Sequence, residues 1–177
     1  MNKHLVEIKA HLSEACTAAV RQLLRDRGAD FRGTDHQIDT YFKVPTGRLK
    51  LREGNLERSL IYYERPDRAG PKDSRVALTT FAPAGVPEGL RDTLLEALGS
   101  WVVVDKRREI YFIDNVKFHL DEVAGLGRFV EIEAIGETEA EHEALLVQCH
   151  AYVKLLNIRA DDLIKVSYSD LLSPPLS

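Results

Sequence analysis

Only two cysteines, one methionine and one tryptophan occur in the 177 residues. Cys16 and Cys149 lie far apart in segments of helical pattern, and both are read as reduced, buried thiols rather than a disulfide or a nucleophile. No apolar run approaches the roughly 18 residues that a membrane span needs. The first ten residues, MNKHLVEIKA, hold a lysine but no apolar stretch of signal-peptide length, so a cytoplasmic protein without a membrane partner is expected. Several signatures of catalysis and nucleotide binding are also missing. There is no GxxxxGKS or GxxxxGKT loop, no GxGxxG, no zinc-type spacing of cysteine and histidine, and no serine at a nucleophile elbow. Gly125-Leu126-Gly127 is read as a turn, and no repeat or low-complexity segment occurs. Any chemistry therefore falls to charged side chains.

Those charges are unevenly spread. The net charge is −4, yet residues 43–75 hold nine Lys/Arg against five Asp/Glu, and Lys106-Arg107-Arg108 follows later. An acidic protein with its cations on predicted strands does not suit duplex nucleic acid, and no nucleic-acid partner is expected. It suits a small, highly charged anion held inside.

Residues two apart in a strand share a face, and the chain uses this repeatedly. Residues 4–11 place Leu5, Glu7, Lys9 and His11 opposite Val6, Ile8 and Ala10. Residues 47–53, GRLKLRE, put Arg48, Lys50 and Arg52 on one face and Leu49 and Leu51 on the other. Residues 101–113 carry Val102, Val104, Lys106, Arg108 and Ile110 along one side. In residues 115–134 two extended segments flank the glycine turn, one with Lys117, His119 and Asp121, the other with Glu131 and Glu133. Further strands are expected at 37–44, 58–67 (with Tyr63 and Arg65 on one face) and 74–81.

Helices are expected at 13–28, capped by Ser13 and stopped by Gly28, and at 88–99, with Leu90, Leu94, Leu95 and Leu98 facing a core. Another is expected at 138–157, opened by a Thr138/Glu141 capping box, and residues 161–172 form a last short element. The whole reads as one α+β domain over 1–172 with a disordered tail at 173–177. About eight strands with one apolar and one charged row suggest a curved or closed sheet, helices outside and a polar cavity within.

The stretches VEIKA, DTYF, GRLKLRE, LIYYERPD with GPKDS, KRREIYF, HLDEVAGLGRFVEIEA and SYSDLL occur in this order over nearly the whole chain. In them the sequence resembles the CYTH, or triphosphate tunnel metalloenzyme, superfamily, and most closely its class IV adenylate cyclase-like branch. The resemblance implies an eight-stranded antiparallel β tunnel that binds a triphosphate with Mg²⁺ or Mn²⁺. Lys9, Lys50, Arg52, Arg65, Lys106 and Arg108 would hold phosphates, with Lys165 closing the tunnel. Asp121, Glu131, Glu133 and Glu7 would hold or orient metal, and Glu7, Lys9 and Asp121 are the residues placed nearest the chemistry. A homodimer is also implied as possible. The family's first strand reads Glu-x-Glu-x-Lys; here Leu5 takes the first glutamate's place, leaving Glu7 and Lys9.

Three functions follow from the resemblance. One is cyclisation of ATP to cyclic AMP and pyrophosphate. The second is hydrolysis of thiamine triphosphate, tripolyphosphate or a nucleoside triphosphate. The third is non-catalytic nucleotide or polyphosphate binding, if Leu5 has removed activity. An aromatic wall for a base could come from Tyr41, Phe42, Tyr62 or Tyr63, all of which also fit core packing.

Overall fold

A computed structural model describes residues 4–64, 75–81 and 85–173, the side chain of Arg75 excepted. Its centre is one antiparallel sheet made of β1 (His4–Leu12), β2 (Asp30–Phe42), β3 (Arg48–Glu53), β4 (Arg58–Glu64), β5 (Arg75–Thr80), β6 (Ser100–Ile113), β7 (Val116–Val123), β8 (Gly127–Gly136) and β9 (Leu163–Ile164). The strand order is β5-β4-β3-β2-β6-β7-β8-β1-β9. The helices are α1 (Glu14–Asp26), α2 (Leu90–Leu98), α3 (His142–Leu155) and α4 (Tyr168–Leu172). The α+β class and the antiparallel sheet are as expected. The sheet is an open half-barrel, with β5 and the two-residue β9 as its edges and no pairing between them among the described residues. No helix is long and apolar enough to cross a membrane.

The two-residue period decides which face is which. The outward residues of β1, β7 and β8 include Val6, Ala10, Phe118, Val130 and Ile132, and they pack against Val20 and Leu24 of α1 and Leu145 and Cys149 of α3. Burial of apolar side chains at roughly 25 cal/mol per Å² makes this layer the main stabilising contact of the domain. Ser13 caps α1 by accepting from the Cys16 N–H at 3.1 Å, and Glu141 accepts from the Thr138 N–H at 2.8 Å where the chain enters α3. The inward residues of the same strands are charged. One end of that inner face is sealed by Tyr41, Tyr63, Val104, Val123, Phe129 and Tyr168.

Three local expectations change. Strand β2 begins at Asp30 rather than near residue 37, because a bulge between Phe31 and Gly33 lets the chain pair with β6 from Phe112 onward. None of the α2 leucines is fully buried; Leu90, Leu94, Leu95 and Leu98 are half-buried while the other side chains of this helix are exposed. Cys16 is exposed while Cys149 is buried; Cys16 lies off the α1 stripe formed by Thr17, Val20 and Leu24. The end of the predicted strand at 58–67, and residues 174–177 of the predicted tail, lie outside the described residues.

Candidate functional site

The inner face gathers most of the predicted charged residues into three groups. In the first, Lys50 Nζ and Lys106 Nζ donate to Asp39 at 2.9 and 2.8 Å, and Arg52 grips the same carboxylate through Nε and Nη2 at 2.8 and 2.9 Å. Asp39 is 1% exposed. Burial pushes its pKa up, but Lys50, Lys106 and Arg52 outweigh burial and hold it well below the usual carboxylate range. A single carboxylate does not neutralise three cations. Burial, reinforced by Arg52, Arg108 and Lys50 and opposed by Asp39, brings Lys106 from 10.5 down to about 7.

Glu57 provides a further carboxylate at the edge of this group. It accepts from Arg52 at 3.0 Å, from Gln37 at 3.0 Å and from Lys117 at 2.9 Å. Its turn is fixed by fully buried Asp35, which accepts from the backbone N–H groups of Asn55, Leu56 and Glu57 at 2.6, 2.8 and 3.0 Å. Gly54 is required there: a Cβ would lie 2.5 Å from the Glu57 carbonyl oxygen and 2.7 Å from the Asp35 carboxylate.

The second group is built on Arg108. Its guanidinium donates to Asp121 at 2.7 and 2.5 Å and to Glu131 at 2.7 Å. Lys9 meets Glu131 at 3.0 Å and also lies 4.0 Å from the centre of the Tyr168 ring, whose hydroxyl donates to Asp121 at 2.8 Å. His119 Nδ1 is 3.0 Å from Glu131. Burial and then Arg108 override Glu131 and lower the imidazole to about 4, so it is neutral at pH 7 and Nδ1–H donates. Two buried polar atoms on this face, His119 Nε2 and Gln37 Oε1, have no hydrogen-bond partner among the described residues. Such atoms are uncommon in a protein interior unless a ligand completes them.

The third group is Glu7 and Glu133, directly opposite each other on β1 and β8. Cross-strand neighbours of like charge destabilise one another, and burial together with Glu7 pushes Glu133 up to about 7. Lys117, opposite Glu133 on β7, is drawn to Glu57 instead. Leu5, in the missing glutamate's place, faces Ile135 in the same row.

The expected residues are therefore brought to one face but divided differently. Asp121 and Glu131, expected beside Glu133 around metal, meet a guanidinium. Among the described residues, no three His, Cys, Asp or Glu surround a common metal position. Lys165 is exposed, one residue past β9, and Ile164 rather than Lys165 stands opposite Lys9. Arg65 lies outside the described residues. Tyr41, Phe42 and Tyr63 are buried core aromatics. Sequence reasoning missed Asp39, Glu57 and Tyr168. Asp39 shares its face with Gln37 and Tyr41 at period two, but its pairing with Arg52 depends on the β2–β3 register.

The C-terminal segment crosses the open side of the half-barrel. Arg48 of β3 donates to Ser167 Oγ at 2.8 Å and to Asp170 at 2.6 Å, tying α4 to the far half of the sheet. A separate cleft of about 260 Å³ lies on the outer face beneath α1, lined by residues including Arg21, Arg107, Glu109 and Arg128. Of the three charged groups, Asp121 also lines this cleft.

Comparison with known proteins places this arrangement. The CYTH domain profile matches residues 3–168. A Methanocaldococcus jannaschii protein named as a candidate adenylate cyclase is 35% identical over 147 residues, which is 80% of this chain and 74% of that one. A solved Pyrococcus horikoshii protein superposes with a TM-score of 0.80 at 24% identity, covering 96% of this chain and 99% of its own. A structure from Vibrio parahaemolyticus, titled a candidate adenylate cyclase, has a TM-score of 0.78 at 17% identity, with 97% and 99% covered. These last two likenesses concern the fold.

Proposed function

Since the chain belongs to the CYTH family, we propose that it is a divalent-metal-dependent triphosphate enzyme that converts ATP to cyclic AMP and pyrophosphate. The observation that carries the triphosphate reading is the convergence of Lys50, Arg52 and Lys106 on one buried carboxylate. That locus holds more positive charge than Asp39 neutralises, while Arg108, two residues along β6, is matched by Asp121 and Glu131. A chain of phosphates matches such a row: each phosphate brings its own charge, and lysine and arginine are its usual donors. The cyclase reading is supported by the Methanocaldococcus jannaschii relative's name.

The residues present fit a hard metal ion. Glu7 and Glu133 offer adjacent oxygen donors whose mutual repulsion a cation would relieve. Mg²⁺ commonly takes only one or two carboxylates and completes its shell with water and phosphate oxygens. On this reading the metal role narrows to Glu7 and Glu133. Asp121 and Glu131 serve to orient Arg108, Lys9 and His119. Bound there, Mg²⁺ or Mn²⁺ would withdraw charge from phosphoryl oxygens.

The chain's own side chains do the remaining work. Lys50, Arg52 and Lys106 fix the phosphates, and Arg108 adds charge where negative charge builds on the departing pyrophosphate. Holding the ribose 3′-hydroxyl near the α-phosphorus makes its attack intramolecular, so positioning lowers the barrier. Incubating the purified protein with ATP and Mn²⁺ should give cyclic AMP and pyrophosphate in equal amounts. Orthophosphate without cyclic AMP would overturn cyclisation and indicate hydrolysis on the same phosphate row.

A further inference from the structure

Trp101 lies beside residues that adjoin the cationic row of the inner face. Between Tyr41 and Phe42 the β2–β6 pairing slips: Tyr41 faces Val102 and Phe42 faces Ser100, so Trp101 is the extra residue of a bulge. Bulges re-aim side chains, and this one lays the indole beside inner-face groups. Its ring centre is 6.1 Å from that of Tyr41, edge to face, and the Arg48 guanidinium carbon lies 5.7 Å over it. Tyr41 links it to the phosphate row, with Lys50 Nζ 5.3 Å from the phenol ring centre. Tyr41 and Tyr63 in the same region are 4% and 8% exposed, whereas Trp101 is 37% exposed. The buried tyrosines have no face left to offer. Trp101 does, at the rim of the interior and next to a cation held in place by Asp170.

We propose that Trp101 is the stacking wall for the base of a nucleoside triphosphate, so that this site prefers a nucleotide to a base-free polyphosphate. The proposal rests on the triphosphate reading above and names the class of triphosphate. Aromatic rings stack on any base, so Trp101 confers affinity for a nucleoside without choosing among bases. Arg48, beside the ring, is positioned to contact the sugar or the first phosphate.

The chain has one tryptophan and six tyrosines, so fluorescence excited at wavelengths that only indole absorbs reports on this residue alone. ATP and tripolyphosphate are titrated into the intact protein by calorimetry and followed by fluorescence. ATP is expected to quench Trp101 and tripolyphosphate to leave it nearly unchanged. In Trp101→Ala, ATP should bind roughly 5- to 150-fold more weakly, as loss of one stacked base implies, while tripolyphosphate affinity stays within about two-fold. Trp101→Phe should restore most of the ATP affinity. Retained tripolyphosphate binding also shows that the alanine variant is folded. Equal weakening of both ligands, or of neither, overturns the assignment, as does tight ATP binding without a fluorescence change. If neither ligand binds the wild-type protein, the triphosphate reading itself fails and this proposal falls with it.

Discussion

Lys106 is an ammonium buried at 2% exposure among cations, and replacing it by methionine tests the electrostatics of the interior. The depression from 10.5 to about 7 corresponds to about 5 kcal/mol withheld from the charged form. The folded protein gives up this proton near pH 7, whereas the unfolded chain keeps it until about pH 10.5. Between those values the unfolded state binds more protons, so this group makes stability rise with pH, by at most about 1.4 kcal/mol per pH unit. Below pH 7 both states are protonated and the full penalty of the buried charge is present; above about pH 10.5 it is gone. Lys106→Met removes the titration and leaves Asp39 with Lys50 and Arg52. Urea unfolding at several pH values gives the comparison directly. From about pH 7.5 to about pH 9.5 the wild type should gain about 2.5 kcal/mol relative to the variant. Parallel stability curves, or a wild type that loses ground as pH rises, would refute the reasoning.

Three other outcomes are expected. Asp39→Asn leaves three buried cations facing a neutral amide and should cost about 3–5 kcal/mol in urea unfolding; tripolyphosphate should raise the variant's Tm more than the wild type's, and equal shifts would contradict the proposed overlap of Asp39 with phosphate. Glu7→Gln with Glu133→Gln should weaken Mn²⁺ binding, measured by calorimetry with tripolyphosphate present, by about 100-fold or more; unchanged affinity would remove these residues from the metal role. Gly54→Ala drives a methyl group against the Glu57 carbonyl and the Asp35 carboxylate and should destabilise by about 1–3 kcal/mol, a reading that wild-type stability in a thermal melt would defeat.

The strands and their two faces were legible because alternation is a local property. Glu7 and Lys9, Arg48 to Arg52, and Lys106 with Arg108 can be assigned to one side by counting. Partnership is a different matter. Asp121 and Glu131 read from sequence as metal carboxylates, and only the β6–β7 register shows that Arg108 stands opposite Asp121 and within hydrogen-bond distance of both. Asp39 was invisible for the same reason, since its three partners come from β3 and β6. Trp101 reads as a strand residue alternating with Val102, and only the bulge puts both beside the inner face. The leucines at helical spacing in α2 mark its covered side correctly, since they are half-buried while the other side chains of that helix are exposed, but periodicity does not say how deep the cover is.

The Asp39 cluster makes ligand entry an exchange rather than a filling. Lys50, Arg52 and Lys106 already have a tethered carboxylate partner that loses no translational freedom in serving them, whereas any free anion must give up such freedom to take its place. A monoanion offering one contact gains little by the swap. A chain of linked phosphates meets several cations after a single loss of freedom, because each later contact is intramolecular. On the proposed triphosphate reading, the interior would thus discriminate by the length of the anion, with Asp39 setting the threshold. On the same reading the competition would act in reverse after bond cleavage: shortened fragments would lose the advantage of linkage, and the built-in carboxylate would reoccupy the cations and hasten their departure.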